Sequence, residues 1–168
     1  MCAGFPITND SDGAPSLKNK TVLTLSLAAA SLLTALPAAA QFAKAEDAIQ
    51  YRQSAFRVLG HHFSRLGGMA TGRAPYDAAA AAADGDVLAT VAKLPFHGFV
   101  AASDTGNTRA LPVVWTAAPK FKEMNDKMVD ATGKLAVAAK SGNLDQLKAS
   151  FGPAAQTCKA CHDEFRKK

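Results

Sequence analysis

The residues with the clearest chemical purpose are Cys158, Cys161 and His162, in the run Cys158-Lys159-Ala160-Cys161-His162. Two thiols at this spacing can each add to one vinyl group of a haem, forming thioethers. The adjacent imidazole is then held beneath the iron as its axial ligand. The spacing predicts one covalent haem c per chain, attached through Cys158 and Cys161, with His162 on the iron. Two other uses of a cysteine pair compete. In an exported protein it could form a disulfide or a redox-active dithiol, but the immediately following His162 favours haem. A zinc site would need further Cys or His at ligand spacing, and none is evident.

The sixth coordination position decides what such an iron does. Methionine there favours electron transfer and raises the potential. Met69 follows a double glycine, and Met124 and Met128 fit a helical packing stripe, where methionine serves as filler. His61 and His62 fall beyond the helix centre and His97 lies in a loop, so each reads as a surface or loop histidine. The central stripe residue of the first helix is Phe56, which cannot ligate iron. The expected distal pocket is therefore open but apolar and crowded by Phe56. Arg52 and Gln53 interrupt the same stripe on its buried face, and a buried charge needs a partner. A haem propionate would suit Arg52, because a guanidinium matches a carboxylate with two parallel hydrogen bonds. The alternative has Arg52 curling to the surface over its own apolar stem. Arg166, one turn beyond His162, either sits beside the imidazole in a proximal pocket or is a solvated terminal residue. Its position alone leaves both open.

The elements that must position these groups read as helices throughout, with no convincing strand alternation. Ile49, Phe56, Leu59, Phe63 and Leu66 form one stripe from Glu46 to about Leu66, with Gly67-Gly68 as the expected stop. Asp77 is a plausible N-cap for a second helix that starts in the alanine tract from Ala78 to Ala83 and stops at Leu94-Pro95. Residues 95–114 carry Pro95, Gly98, Gly106, Asn107 and Pro112 and read as a long connection anchored by Trp115. A third helix is expected from about Ala117 to Lys140, with Phe121, Met124, Met128, Ala131 and Leu135 on one side. Asn143 and Gln146 resemble a capping box opening a fourth helix. Its buried face would carry Leu144, Leu147, Phe151, Ala155, Cys158, His162 and Phe165, and Gly152-Pro153 should kink it. The expected fold is all-α, an antiparallel four-helix bundle, an architecture that places cofactors between facing helices.

Residues 1–40 read as a leader and signal peptide. Lys18 and Lys20 precede an apolar run from Val22 to Leu36, and Ala38-Ala39-Ala40 supplies a small-residue cleavage site. The run is shorter than the ~20 apolar residues of a membrane span, so the mature protein, residues 41–168, is expected to be exported and to carry no span. That length suits one domain. The chain holds 19 Lys and Arg against 14 Asp and Glu, a net charge of +5. The leader removes two of each sign and leaves the net unchanged. No basic stripe with interleaved aromatics is present, which argues against nucleic-acid binding. A solvated basic face is the ordinary reading, and docking to an acidic electron-transfer partner is the alternative.

Taken together, the chain resembles the cytochromes c′, the class II c-type cytochromes. The likeness runs through Gln41-Phe42-Ala43-Lys44, Tyr51-Arg52-Gln53-Ser54-Ala55 and Ala74-Pro75-Tyr76-Asp77 to the haem motif and terminal basic residues. A haem motif at the C-terminal end of a helical bundle is itself distinctive. The resemblance implies a periplasmic homodimer of left-handed bundles with five-coordinate, largely high-spin haem. It also implies binding of nitric oxide and carbon monoxide with discrimination against dioxygen. Carried over by position, Arg52 and Gln53 match haem-contacting residues. Phe56 falls at the distal position, often leucine in the family, and Arg166 falls beside the proximal histidine. The implied function is reversible gas binding without enzymatic turnover, with electron transfer to a periplasmic redox partner as a further expectation. The competing reading is a six-coordinate, low-spin electron carrier of the same fold, which would want methionine where Phe56 stands. A peroxidase would want a polar distal acid–base group, which the apolar stripe does not offer.

Overall fold

A computed structural model describes residues 41–168, so the expected leader and cleavage site, and Cys2, lie outside the described residues. The element order is α1 (Ala45–Ala70), α2 (Ala78–Val91), a 3-10 turn (Leu94–Gly98), the single-turn α3 (Val113–Thr116), α4 (Ala118–Lys140) and α5 (Leu144–Phe165). The four long helices form an all-α bundle in which α4 packs on both α2 and α5, and α1 packs on α2, the 3-10 turn and α5. The core is built from Leu59, Leu66 and Met69 of α1, Ala81 and Leu88 of α2, Met128, Leu135 and Ala139 of α4, and Leu147 and Ala154 of α5. Phe56, Phe63, Phe96, Phe151 and Cys158 pack partly buried against that core. No helix among the described residues is long and apolar enough to cross a membrane.

Local chemistry starts the helices where the sequence places them. Asp77 caps α2, accepting the Ala80 amide at 3.0 Å. Asn143 Oδ1 accepts the amides of Asp145 and Gln146 at 2.9 and 3.1 Å, satisfying two of the donors a helix start leaves free. The return arm of a capping box comes from elsewhere, since the Asn143 amide donates to Ser141 Oγ at 3.2 Å.

Three expectations about breaks need correction. Gly67-Gly68 does not end α1, which runs on to Ala70 and closes when Thr71 bonds back to the Gly67 carbonyl. Gly67 is glycine for another reason. A Cβ there would lie 2.5 Å from the Phe151 ring, so its bare backbone lets α5 approach. Gly152-Pro153 does not interrupt α5. Both residues are exposed, as is Ala149, whose carbonyl loses its helical donor to Pro153 and can take water instead. The long connection also carries structure, namely the 3-10 turn and α3.

A polar cluster joins α1 to α2. Asp84 is only 3% exposed. It is held by His62 Nδ1 at 2.7 Å and by Arg65 Nε at 2.9 Å. This answers where His61 and His62 belong. His62 serves the helix pair, and His61 lies edge-on against it.

Candidate functional site

Cys158 and Cys161 are free thiols, half-buried on α5 one turn apart, and His162 follows on the exposed side of the same turn. Burial raises the Cys158 thiol above its ordinary value. It pushes Cys161 up to about 11, with Cys158 and Glu164 adding to the shift. His162 is shifted down, first by desolvation, then by the positive charge of Arg166, with a smaller push from Arg109. Asp163 opposes them, and the net shift favours a neutral imidazole, the form that ligates metal.

A chain of aromatic rings links α1 to α5, the helix that carries the motif. Phe56 on α1 meets Phe99 edge-on at 6.4 Å, Phe99 meets Phe121 of α4 at 4.8 Å, and Phe121 meets Phe165 of α5 at 5.1 Å. Phe96 and Trp115 pack beside them. The wall thus runs from the helix opposite the motif to the motif's own helix. Its α1 member carries no ligand atom.

Arg52 is 2% exposed, so it does not curl to the surface. Its Nη1 donates to the Gly98 carbonyl and to Ser103 Oγ, each at 2.7 Å. Nη2 donates to the Ser103 carbonyl at 2.7 Å and to Thr108 Oγ1 at 2.8 Å. The guanidinium also lies 4.6 Å from the Phe99 ring centroid. All four Nη hydrogens therefore go to the end of the 3-10 turn and the loop that follows it, in place of the expected bidentate propionate contact. The neighbouring Gln53 behaves alike, donating to the Asn107 carbonyl at 2.8 Å. Gly98 makes the arrangement sterically feasible, since a Cβ there would fall 2.6 Å from the Ala48 carbonyl.

Arg166 follows α5 as an exposed residue, and its backbone forms an antiparallel bridge with Ala110. Leu111 N donates to the Phe165 carbonyl at 2.9 Å and Lys167 N to the Arg109 carbonyl at 2.8 Å. The connecting loop is thus joined to the motif's helix as well as to α1. Sequence reasoning missed Ser103 and Thr108. They are ordinary loop residues whose partner Arg52 lies 51 and 56 positions away, a separation no local pattern reveals. Among the other ligand candidates, Met69 and Met128 are buried in the core and His97 is exposed.

The donor set and the wall fit a haem. Two thiols and an imidazole lie on one helical flank beside an apolar, aromatic face. No group of three or more His, Cys, Asp or Glu gathers among the described residues as a site for a bare metal ion. Fold and site together define a c-type haem protein on a helical bundle. Comparison with known proteins makes the class specific. The family model described as Cytochrome C' matches residues 47–166. Cytochrome c' from Alcaligenes xylosoxydans xylosoxydans is 44% identical over 128 residues, covering 76% of this chain and 99% of the relative. A crystal structure of cytochrome c' from Rubrivivax gelatinosus is 44% identical with a TM-score of 0.73, covering 76% of this chain and all of that one. A nitric oxide complex of a variant of cytochrome c prime from Alcaligenes xylosoxidans, also 44% identical, gives a TM-score of 0.70 over 76% of this chain and 99% of that one. The chain belongs to the cytochrome c′ family of non-enzymatic haem proteins.

Proposed function

We propose that this protein is a periplasmic haem c protein that reversibly binds nitric oxide and carbon monoxide, working as a homodimer after removal of residues 1–40. Cys158 and Cys161 anchor the haem, one per chain, and His162 is its axial ligand. Bound there, a haem would supply an iron able to take up a diatomic gas. The chain's own residues set the terms of binding. Phe56, in the aromatic wall, gives the distal side bulk and no donor atom, so it neither ligates iron nor hydrogen-bonds a polar ligand. Arg166 and Arg109 hold positive charge beside His162 and favour its neutral, ligating form. Arg52 and Gln53 act on the site by fixing the loop that carries Phe99 and reaches Arg109. Electron exchange with a periplasmic redox partner is compatible with the same site.

The single observation that carries this reading is that the helix bearing Cys158, Cys161 and His162 is joined through Phe165, Phe121 and Phe99 to Phe56 on α1. The relative solved with nitric oxide supports the choice of ligand. The deciding experiment is an absorption spectrum of the purified holoprotein, oxidised and reduced, before and after carbon monoxide. A high-spin ferrous spectrum that converts fully on adding the gas is expected. A low-spin ferrous spectrum indifferent to it would mean a second strong ligand, and would make the protein an electron carrier instead.

A further inference from the structure

His162 sits in the last turn of α5, three residues before the helix ends at Phe165. The final carbonyls of a helix have no intrahelical donor, and unsupported last turns fray. An axial ligand in such a position is poorly fixed unless something closes the helix end. Here the closure comes from the loop, through the Leu111 amide on the Phe165 carbonyl and the Lys167 amide on the Arg109 carbonyl. Arg109 Nη2 adds a contact to the Lys167 carbonyl at 2.7 Å.

The same loop is tied to α1 two residues earlier. Thr108 Oγ1 accepts Arg52 Nη2 at 2.8 Å and also the Ala110 amide at 3.1 Å. Gln53 of α1 also donates to the Asn107 carbonyl at 2.8 Å. The Thr108 hydroxyl, however, is the group that bonds both the buried cation on α1 and the Ala110 amide of the segment bridged to the end of the motif's helix. The remaining polar groups of Arg52 and Ser103 hold the loop upstream of this point and do not reach the bridge.

We propose that Thr108 is a positioning residue for His162. It fixes residues 109–111 against the end of α5, so that the imidazole is held in one orientation by contacts that originate on α1. Arg52 then sets the stiffness of the proximal side from the distal helix, by hydrogen bonding and without touching the haem. This rests on the reading of His162 as axial ligand. It adds a link between the two sides of the site through Arg52, Thr108, the Ala110–Arg166 bridge and Phe165.

The test compares Thr108→Val, which keeps the shape and removes the acceptor, with Thr108→Ser, which keeps the hydroxyl. Two quantities are read on the holoprotein. The first is deuterium uptake by peptides covering 107–111 and 163–168. The second is the iron–imidazole stretching band in the Raman spectrum of the ferrous form. Thr108→Val is expected to speed uptake in both peptides by on the order of tenfold and to shift or broaden the band. Thr108→Ser should match wild type in both. Lys167→Pro breaks the pairing from the exposed end and should move both quantities in the same direction, so the test survives if Thr108→Val folds poorly. Faster uptake with an unmoved band would reduce the Thr108 link to a structural contact and overturn the proposal. Unchanged uptake would overturn it as well. A wild-type protein without an iron–imidazole band would defeat the functional reading itself, and that failure is distinct because it precedes any substitution.

Discussion

Cys161 shows how strongly the fold acts on a single side chain. Its thiol is pushed up to about 11, chiefly by burial, with Cys158 and Glu164 opposing a second negative charge nearby. The sign follows from the thiol being neutral when protonated. Burial penalises the thiolate, so the neutral form persists through physiological pH. In the haem-free chain, alkylation of Cys161 by iodoacetamide should be slow at pH 8 and rise about tenfold per pH unit to pH 10, because the thiolate is the nucleophile. Peptide mass spectrometry after timed quenching reads this directly. A rate that levels off below pH 9 would place the thiol in open solvent and contradict the packing of this flank against the core. The same burial keeps both thiols protonated, and Cys158 packs against the core.

At the scale of elements, two adjacent glycines in α1 make a sharper test of helix packing than any large residue. A Cβ at Gly67 would meet the Phe151 ring at 2.5 Å, whereas one at Gly68 would meet only Ala74 Cβ at an ordinary 3.5 Å. Gly68→Ala should therefore stabilise the protein by about 0.5–1 kcal/mol through helix propensity. Gly67→Ala should destabilise it by about 1–3 kcal/mol, because the overpacked ring must move. Thermal denaturation of the two variants should shift in opposite directions, and a shift of the same sign would refute the close α1–α5 approach. This pair also marks the limit of what the sequence discloses. The stripes of α1 and α4, the caps at Asp77 and Asn143, and the haem motif on α5 are legible because each depends on residues within a turn or two. A double glycine has one appearance and two uses, stopping a helix or admitting a neighbour, and only the position of Phe151 decides between them. Arg52 is similar. Its place on a buried face is visible in the stripe, but its partners Ser103 and Thr108 come from a loop more than 50 residues on. Pro153 misleads for the opposite reason, since its exposed side of α5 lets water replace the lost bond.

Over the whole molecule, the net charge of +5 is distributed less evenly than the sequence suggests. Along α4 the charges cancel locally in i,i+4 pairs, Lys122 with Asp126, Lys127 with Glu123 and Lys134 with Asp130. Near the haem motif Lys159 is paired with Asp163 and Lys120 with Glu164. Arg109, Arg166, Lys167 and Lys168 are exposed and, among the described residues, have no carboxylate within ion-pair distance. Positive charge is thus concentrated where the loop meets the end of α5. Arg166 and Arg109 both act to lower His162, against Asp163, so the cluster lies close enough to bear on the motif. Such a field draws anions toward the end of α5 and repels cations, and it is erased as the screening length falls from roughly 30 Å at 0.01 M salt to roughly 3 Å at 1 M. Oxidation of the ferrous protein by anionic hexacyanoferrate should therefore slow several-fold across that range, while oxidation by a cationic ruthenium ammine of comparable driving force should accelerate. Stopped-flow rates at four or five ionic strengths give both slopes. Slopes of equal sign for the two reagents would mean that the electron leaves by another face, and that the cluster of Arg109, Arg166, Lys167 and Lys168 has no part in choosing a redox partner.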